Sequence, residues 1–279
     1  MTRRTIRKPA SLEGIGLHKG TPSRVTFLPA AGPTGLRFAG PGFAAPVRAL
    51  ASLVSGTARG TNISSGSRAL YTVEHLLSAA AGLGIDDLDI EVDGEEPPAA
   101  DGSALPFARA LLGAGLEEKP GQERRFLRLP GPLEFSSGRT RYRAAPAEKF
   151  TVKLAYDYPH PLTPRQELEL ALTPEIYLKE VAPARTFGFD HEIEQLKAAG
   201  LGLGGSLDNA VVITKTEILA QGGLRFRDEF VRHKLLDLVG DLALAGLPLA
   251  GIRIEAERPG HAGNTAFAKL LAEKCTEAS

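Results

Sequence analysis

The sequence predicts an α+β protein built as two similar halves. Three observations carry that expectation. The chain has 279 residues. At roughly 150 residues per domain, this suits two domains or one large one. Short strand-like and helical segments are interspersed along the chain. The segment HLLSAAAGLGIDDLDIEVDG (75–94) is also echoed by HKLLDLVGDLALAGLPLAGIRIEAE (233–257). Each is a helix opening on His, then a Gly-containing turn, then an alternating strand. Two such units suggest duplicated domains packed face to face, against the simpler explanation of chance similarity.

The elements follow in order. SRVTFLP, GLRFAG and APVRAL, within residues 23–49, are short strands separated by Pro and Gly. SGTARGTNISSGSR is a polar Gly/Ser segment without periodicity. A helix should start at Thr72, a plausible N-cap, and run to about Gly82 with Val73, Leu76, Leu77 and Ala80 on one face. LDIEVDG alternates as a strand, and Pro106–Leu112 reads as a second helix. EEKPGQER (117–124) is the best candidate boundary, giving domains 1–120 and 125–279.

In the second half, RFLRL, TRYRAAP and FTVKLAYDY read as strands, and a helical stretch follows Pro174. Next come ARTFGF, a helix to about Ala199, the Gly-rich GLGLGG and the strand AVVIT. A long helix spans about Asp228 to Leu244. The strand GIRIEAE and a helix after Gly263 complete the chain.

Composition removes several classes of function. Lys plus Arg and Asp plus Glu both number 33. Zero net charge argues against a nucleic acid or anionic membrane bound by bulk charge, while leaving room for a local cation at one phosphate. The lone cysteine, Cys275, excludes internal disulfides and thiolate zinc sites, and fits a reducing, cytoplasmic setting. Leu235–Ile254 is apolar but is interrupted by Asp237, Asp241 and Pro248, so stable membrane insertion is not expected.

Chemistry must then come from His, Asp, Glu and Lys. His233, Asp237 and Asp241 stand at i, i+4 and i+8 on the long helix and share a face. A His and a carboxylate four apart can grip one metal ion. On spacing alone, however, an ordinary amphipathic helix is the favoured explanation. Glu74 and His75 adjoin at a helix start, where a metal ligand beside a base is one layout and a charge on the helix dipole is another. His261 follows Gly260 on a loop at a strand end, a position open to catalysis but more often a plain turn. GLGLGGSLDN is not GxGxxG after a first strand and has no Walker lysine, so a closely packed turn is the better expectation. His18, His160 and His191 read as structural or surface histidines.

Together the motifs say more. GIGLHKG (14–20), TVEHLLSAAAGLGIDDLDIEV (72–92), PPAADGSALPF (97–107), ARTFGF (184–189), GLGLGGSLDNAVV (200–212), LRFRDEFVRHKLLDLVGDLAL (224–244) and GHAGN (260–264) span most of the chain. In order and spacing they resemble the zinc-dependent UDP-3-O-acyl-N-acetylglucosamine deacetylase family of lipid A biosynthesis. The resemblance implies two α/β sandwich domains, with helices packed between the two sheets. It implies a Zn2+ site of His75, His233 and Asp237 with a fourth position open for water.

The same resemblance implies that Glu74 is the general base. His261 would be the proton donor or oxyanion stabiliser, oriented by Asp241, and Thr186 an oxyanion donor. Lys234 would lie near the phosphates of the substrate, a small acylated UDP-sugar. Asp157 and Tyr158 would contact uridine. Phe187, with Ile193, Leu207 and Val212, would line a passage for the acyl chain. A monomer is expected. An amidohydrolase acting on another N-acyl sugar is the alternative. A silent binding protein is disfavoured, because all the presumed ligand and acid–base residues are present.

Overall fold

The computed structural model describes residues 1–279. Two similar sheet-and-helix halves are visible at once in the strand order. In the first half a five-stranded sheet runs Ala10–Ile15, Pro22–Pro29, Leu88–Val92, Leu36–Ala39, Val47–Arg48. In the second it runs Leu133–Ser137, Thr140–Pro146, Ile252–Glu257, Thr151–Tyr156, Gln166–Ala171. In each, the last strand in sequence takes the middle of the sheet. It lies antiparallel to the second strand and parallel to the third. The internal echo is therefore a repeated fold, and both echoed segments end on that central strand.

The helices are α1 (Glu74–Gly82), α2 (Leu105–Gly113), α3 (Pro174–Ile176), α4 (Asp190–Ala198), α5 (Glu229–Ala243) and α6 (His261–Lys274). α1 and α5 pack on each other in the middle, and α5 also lies against the strands Thr151–Tyr156 and Gln166–Ala171. Its apolar side chains Leu235, Leu236, Leu238 and Val239 are buried, and so are His233, Asp237 and Asp241. This is a core helix with a polar face turned inward, not a surface helix with a solvated stripe. No helix is long and apolar enough to cross a membrane.

Each half also carries a three-stranded sheet between its fifth large-sheet strand and its central helix. In the first half this is Val54–Gly56, Asn62–Ser65 and Arg68–Leu70. In the second it is Phe187–Phe189, Val211–Ile213 and Ile218–Leu219, with α4 inserted. Half of the polar segment 55–68 is thus paired in strands. Its short Ser- and Asn-rich strands hide the alternation that would announce them.

Other expectations shift. The candidate boundary 117–124 is part of a strand, Leu116–Glu123, paired antiparallel with Thr2–Ile6. Its exposed charges sit on a two-stranded ribbon that needs little apolar pattern. Thr72 does not cap α1: the helix starts at Glu74 behind Val73, with no side-chain cap. Thr72 has φ +55°, and its hydroxyl donates to Glu96 at 2.8 Å. α6 starts at His261, so that histidine is the first residue of a helix and not part of a loop.

The α1–α5 contact depends on one glycine. A Cβ on Gly240 would lie 2.0 Å from the backbone oxygen of Glu74. Alanine normally gains about 1 kcal/mol over glycine inside a helix. Here the obstacle is backbone, so the helices must separate. Gly240→Ala is expected to lose roughly 3 kcal/mol, measured by urea unfolding. Gly113→Ala at the end of α2, with nothing within 4 Å of its Cβ, should be neutral or slightly stabilising.

A buried ion pair fixes the segment that enters the second small sheet. Glu229, at the start of α5, accepts from the Arg185 N–H at 3.0 Å and its Nε at 2.9 Å, and from the Arg225 N–H at 2.7 Å. Arg185 is 2% exposed and Glu229 0%. Removing one partner strands a buried charge, so Glu229→Ala should cost about 3–5 kcal/mol in the same assay.

Candidate metal centre and cavity

α1 and α5 bring His75, His233 and Asp237 to one point. His75 Nε2 lies 3.6 Å and His233 Nε2 3.3 Å from Asp237 Oδ1. The i, i+4 spacing supplies two of these groups from successive turns of α5, and α1 supplies the third across the helix contact. Two ligands at about 2.1 Å from one ion in tetrahedral geometry stand roughly 3.4 Å apart, so the spacing fits a metal site. The donor chemistry fits too. Asp237 Oδ1 is buried with no hydrogen-bond partner, a cost that a cation would remove. Its other oxygen accepts from Lys234 Nζ at 2.7 Å. His233 Nδ1 lies 3.1 Å from the Ala184 carbonyl; donating there leaves Nε2 as a lone pair facing Asp237. Burial pushes the His233 imidazole down to about 3, keeping it neutral.

Beside this cluster stand three groups that handle protons. Glu74 is buried, and burial raises its carboxyl above the usual carboxylate range. His261 Nε2 is 3.9 Å from Glu74 Oε1, and its Nδ1 is 3.0 Å from Asp241 Oδ2. Burial opposes charge on His261, but Asp241, Glu74 and Asp237 outweigh it and raise the imidazole to about 9. Glu74, Asp237 and His261 form a second group with metal-ligand spacing. In that group His261 Nε2 stands 3.9 Å from both Glu74 and Asp237, longer than the 3.3 and 3.6 Å of the first group, so His75, His233 and Asp237 are the better donor set.

Asp241 is fully buried and well supplied with donors. Its Oδ1 accepts from the Thr61 hydroxyl at 2.5 Å, and its Oδ2 accepts from Asn264 Nδ2 at 2.8 Å. The Asn264 oxygen accepts in turn from the Tyr142 hydroxyl at 2.5 Å. The i, i+3 spacing of His261 and Asn264 on α6 was a legible signal for this pair. Thr61, 180 residues from Asp241, had none.

The cluster opens into a cavity of about 880 Å³ between the halves. Thr186, Phe187, Lys234, Asp157 and Tyr158 line it, as do Glu74, His75, His233, Asp237 and His261. The Lys234 ammonium stands 5.5 Å over the Phe187 ring. The Tyr158 ring stacks on Phe189 at 4.4 Å. Arg258 pairs with Asp157 and holds its carboxyl below the usual range. Arg139 and Arg258 line the cavity as well; scattered in sequence, they gave no motif. Ile193, Leu207 and Val212 are not among the cavity's lining residues. Val212 pairs with Gly188 in the small sheet, Ile193 lies on α4, and Leu207 is exposed.

The quieter motifs have structural roles. Glu96 accepts from the backbone N–H groups of His18 and Lys19, at 2.9 Å to Oε2 in each case, and so folds the 14–20 loop. His18 bonds through both ring nitrogens, to the Arg59 carbonyl and the Gly202 N–H. The Gly-rich turn packs where Gly204 meets the Gly16 carbonyl, with no room for a Cβ.

Comparison with known proteins gives the family. The family model described as LpxC, UDP-3-O-acyl N-acetylglycosamine deacetylase, matches residues 3–273. A UDP-3-O-acyl-N-acetylglucosamine deacetylase of Anaeromyxobacter sp. (strain Fw109-5) is 44% identical over 272 residues, covering 97% of this chain and 89% of the relative. One from Nitratidesulfovibrio vulgaris is 42% identical over 279 residues, covering 99% and 89%. One from Myxococcus xanthus is 40% identical over 264 residues, covering 94% and 83%. With its repeated fold, its His–His–Asp cluster and these relatives, the chain belongs to the UDP-3-O-acyl N-acetylglycosamine deacetylase family.

Proposed function

We propose that this chain is a zinc-dependent amidohydrolase. Its reaction is hydrolysis of the acetamide of UDP-3-O-acyl-N-acetylglucosamine, an early step of lipid A biosynthesis. The observation that carries the reading is the unpartnered, buried Asp237 Oδ1 facing two imidazoles, with Glu74 and His261 alongside. The deacetylase activity by which the relatives are named supports it. A reducing cytoplasmic location suits a chain whose lone cysteine is unpaired.

A divalent ion held by His75, His233 and Asp237 supplies Lewis acidity toward a water and the amide carbonyl. The chain's own residues do the rest. Glu74, its affinity for a proton raised by burial, takes one from the attacking water. As oxygen adds to the carbonyl carbon, the Thr186 hydroxyl donates toward the developing oxyanion. His261 then passes its proton to the nitrogen as the C–N bond breaks, leaving acetate and a free amine. Asp241 holds the imidazole in orientation and favours its charged form.

Lys234, Arg139 and Arg258 give the cavity the cations that a diphosphate needs. Asp157 and Tyr158 are assigned to uridine. Phe187, Ile193, Leu207 and Val212 are assigned to the acyl chain. Leu203 and Leu207, between α4 and the strand Val211–Ile213, are exposed apolar side chains, so this segment offers apolar surface outside the cavity lining for the chain.

Bound-metal analysis coupled to a deacetylation assay tests the reading. Purified protein should hold about one zinc per chain, and His233→Ala should lose it, because a ligand is removed. Chelation should lower the melting temperature, since an ion bound only to the folded chain stabilises it. Glu74→Gln should keep the metal and lose about 10²–10⁴ in turnover. The acylated UDP-sugar should be hydrolysed far faster than unacylated UDP-N-acetylglucosamine; equal rates would move the assignment to a different N-acyl sugar.

A further inference from the structure

Thr61 touches both sides of the proton-handling machinery without reaching the cavity. It is 0% exposed. Its hydroxyl donates to Asp241 Oδ1 at 2.5 Å and lies 3.4 Å from His261 Nδ1. Its backbone N–H donates to Glu74 Oε2 at 2.8 Å. A hydroxyl has one proton to give. A protonated His261 already spends its Nδ1–H on Asp241 Oδ2, so the Thr61 proton goes to the other oxygen. With Asn264 also on Oδ2, the plane of the Asp241 carboxylate is fixed from three directions, two of them in the second half and one in the first.

The loop that carries Thr61 is held under strain. Arg59 has φ +67°, an unfavourable conformation for a residue with a Cβ. Its guanidinium bonds Glu192 twice, at 2.9 and 3.0 Å, and its carbonyl bonds His18 Nε2 at 3.1 Å. Gly60 follows, where a Cβ would stand 3.2 Å from both Glu74 Oε1 and the Thr72 hydroxyl. Contacts from two separate segments, at Glu192 and His18, thus hold this loop against Glu74.

We infer that Thr61 is a positioning residue: its hydroxyl fixes Asp241, and through it the His261 imidazole, while its peptide N–H orients Glu74. This rests on the deacetylase reading above. Valine matches threonine in volume and removes the hydroxyl; serine keeps the hydroxyl and removes the methyl.

In metal-loaded protein assayed on the acylated UDP-sugar, Thr61→Val should lower kcat by about ten- to a hundredfold. KM should stay within about twofold, and zinc stoichiometry should not change. Thr61→Ser should return kcat to within about threefold of wild type. In an Asp241→Asn background, Thr61→Val should add little, because the two residues act as a unit. In metal-free protein, the His261 ring nitrogen NMR signals should shift in Thr61→Val and not in Thr61→Ser. If Thr61→Val fails to fold, Thr61→Ala carries the same expectations.

Wild-type kcat in Thr61→Val would overturn the inference. So would Thr61→Ser falling as far as valine, or a full additive loss in the Asp241→Asn background. Wild-type protein that leaves the acylated UDP-sugar intact would overturn the functional reading instead. The His261 signals then decide the positioning claim alone.

Discussion

The close approach of α1 and α5 is the constraint on which the rest depends. Gly240 lets α5 lie against the carbonyl of Glu74, and Ser78 Oγ donates to the Leu236 carbonyl at 2.8 Å across the same contact. There too, the His75 and His233 ring centroids lie 5.1 Å apart. The glycine lies two turns beyond His233, one turn beyond Asp237 and just before Asp241, so the contact and the polar cluster occupy the same stretch of α5.

That arrangement places Glu74, Asp237 and Asp241 together in the interior. Unpaired buried carboxylates are too costly to keep, and the three are handled differently. Asp241 receives donors on both oxygens, from Thr61, His261 and Asn264. Glu74 has the Thr61 N–H and a raised affinity for protons. Asp237 has Lys234 on one oxygen and no hydrogen bond on the other. A stable core would have satisfied that atom; leaving it open is costly to folding. Incomplete satisfaction at one atom, in an otherwise well-bonded cluster, is what separates a binding centre from a structural polar network.

How much of this was legible follows from where the information lies. The i, i+4 spacing of His233 and Asp237 is local, and α5 fulfils it. The echo between 75–94 and 233–257 is also local within each half, and the two matching sheets bear it out. The strand Gln166–Ala171 is legible in the same way, since Glu167 and Glu169 face out while Leu168 and Leu170 face the core. Thr72 has the chemistry of an N-cap, but its hydroxyl goes to Glu96, a partner set by tertiary structure. The same limit applies to Thr61, Arg139 and Arg258. Thr61 meets Asp241 across 180 positions and Arg258 meets Asp157 across 101, while Arg139 joins the site only through the cavity, and nothing in their immediate sequence marks them.

The repeat also explains why the site is asymmetric although the halves are alike. Both central helices present a histidine, but α1 is 9 residues long and α5 is 15. α5 therefore has a further turn beyond Asp237 on which to carry Asp241, and α1 has no counterpart. The small three-stranded sheets stand at equivalent points in the two halves but have diverged from each other. The first is short and tightly folded, and it delivers Thr61 to the interior. The second is extended by α4 and brings Phe187 to the cavity wall. Arg59 and Glu192 join these two insertions directly. A duplicated scaffold sets where the two faces meet, and the unequal additions at matching positions decide that one contributes inner support and the other the cavity lining.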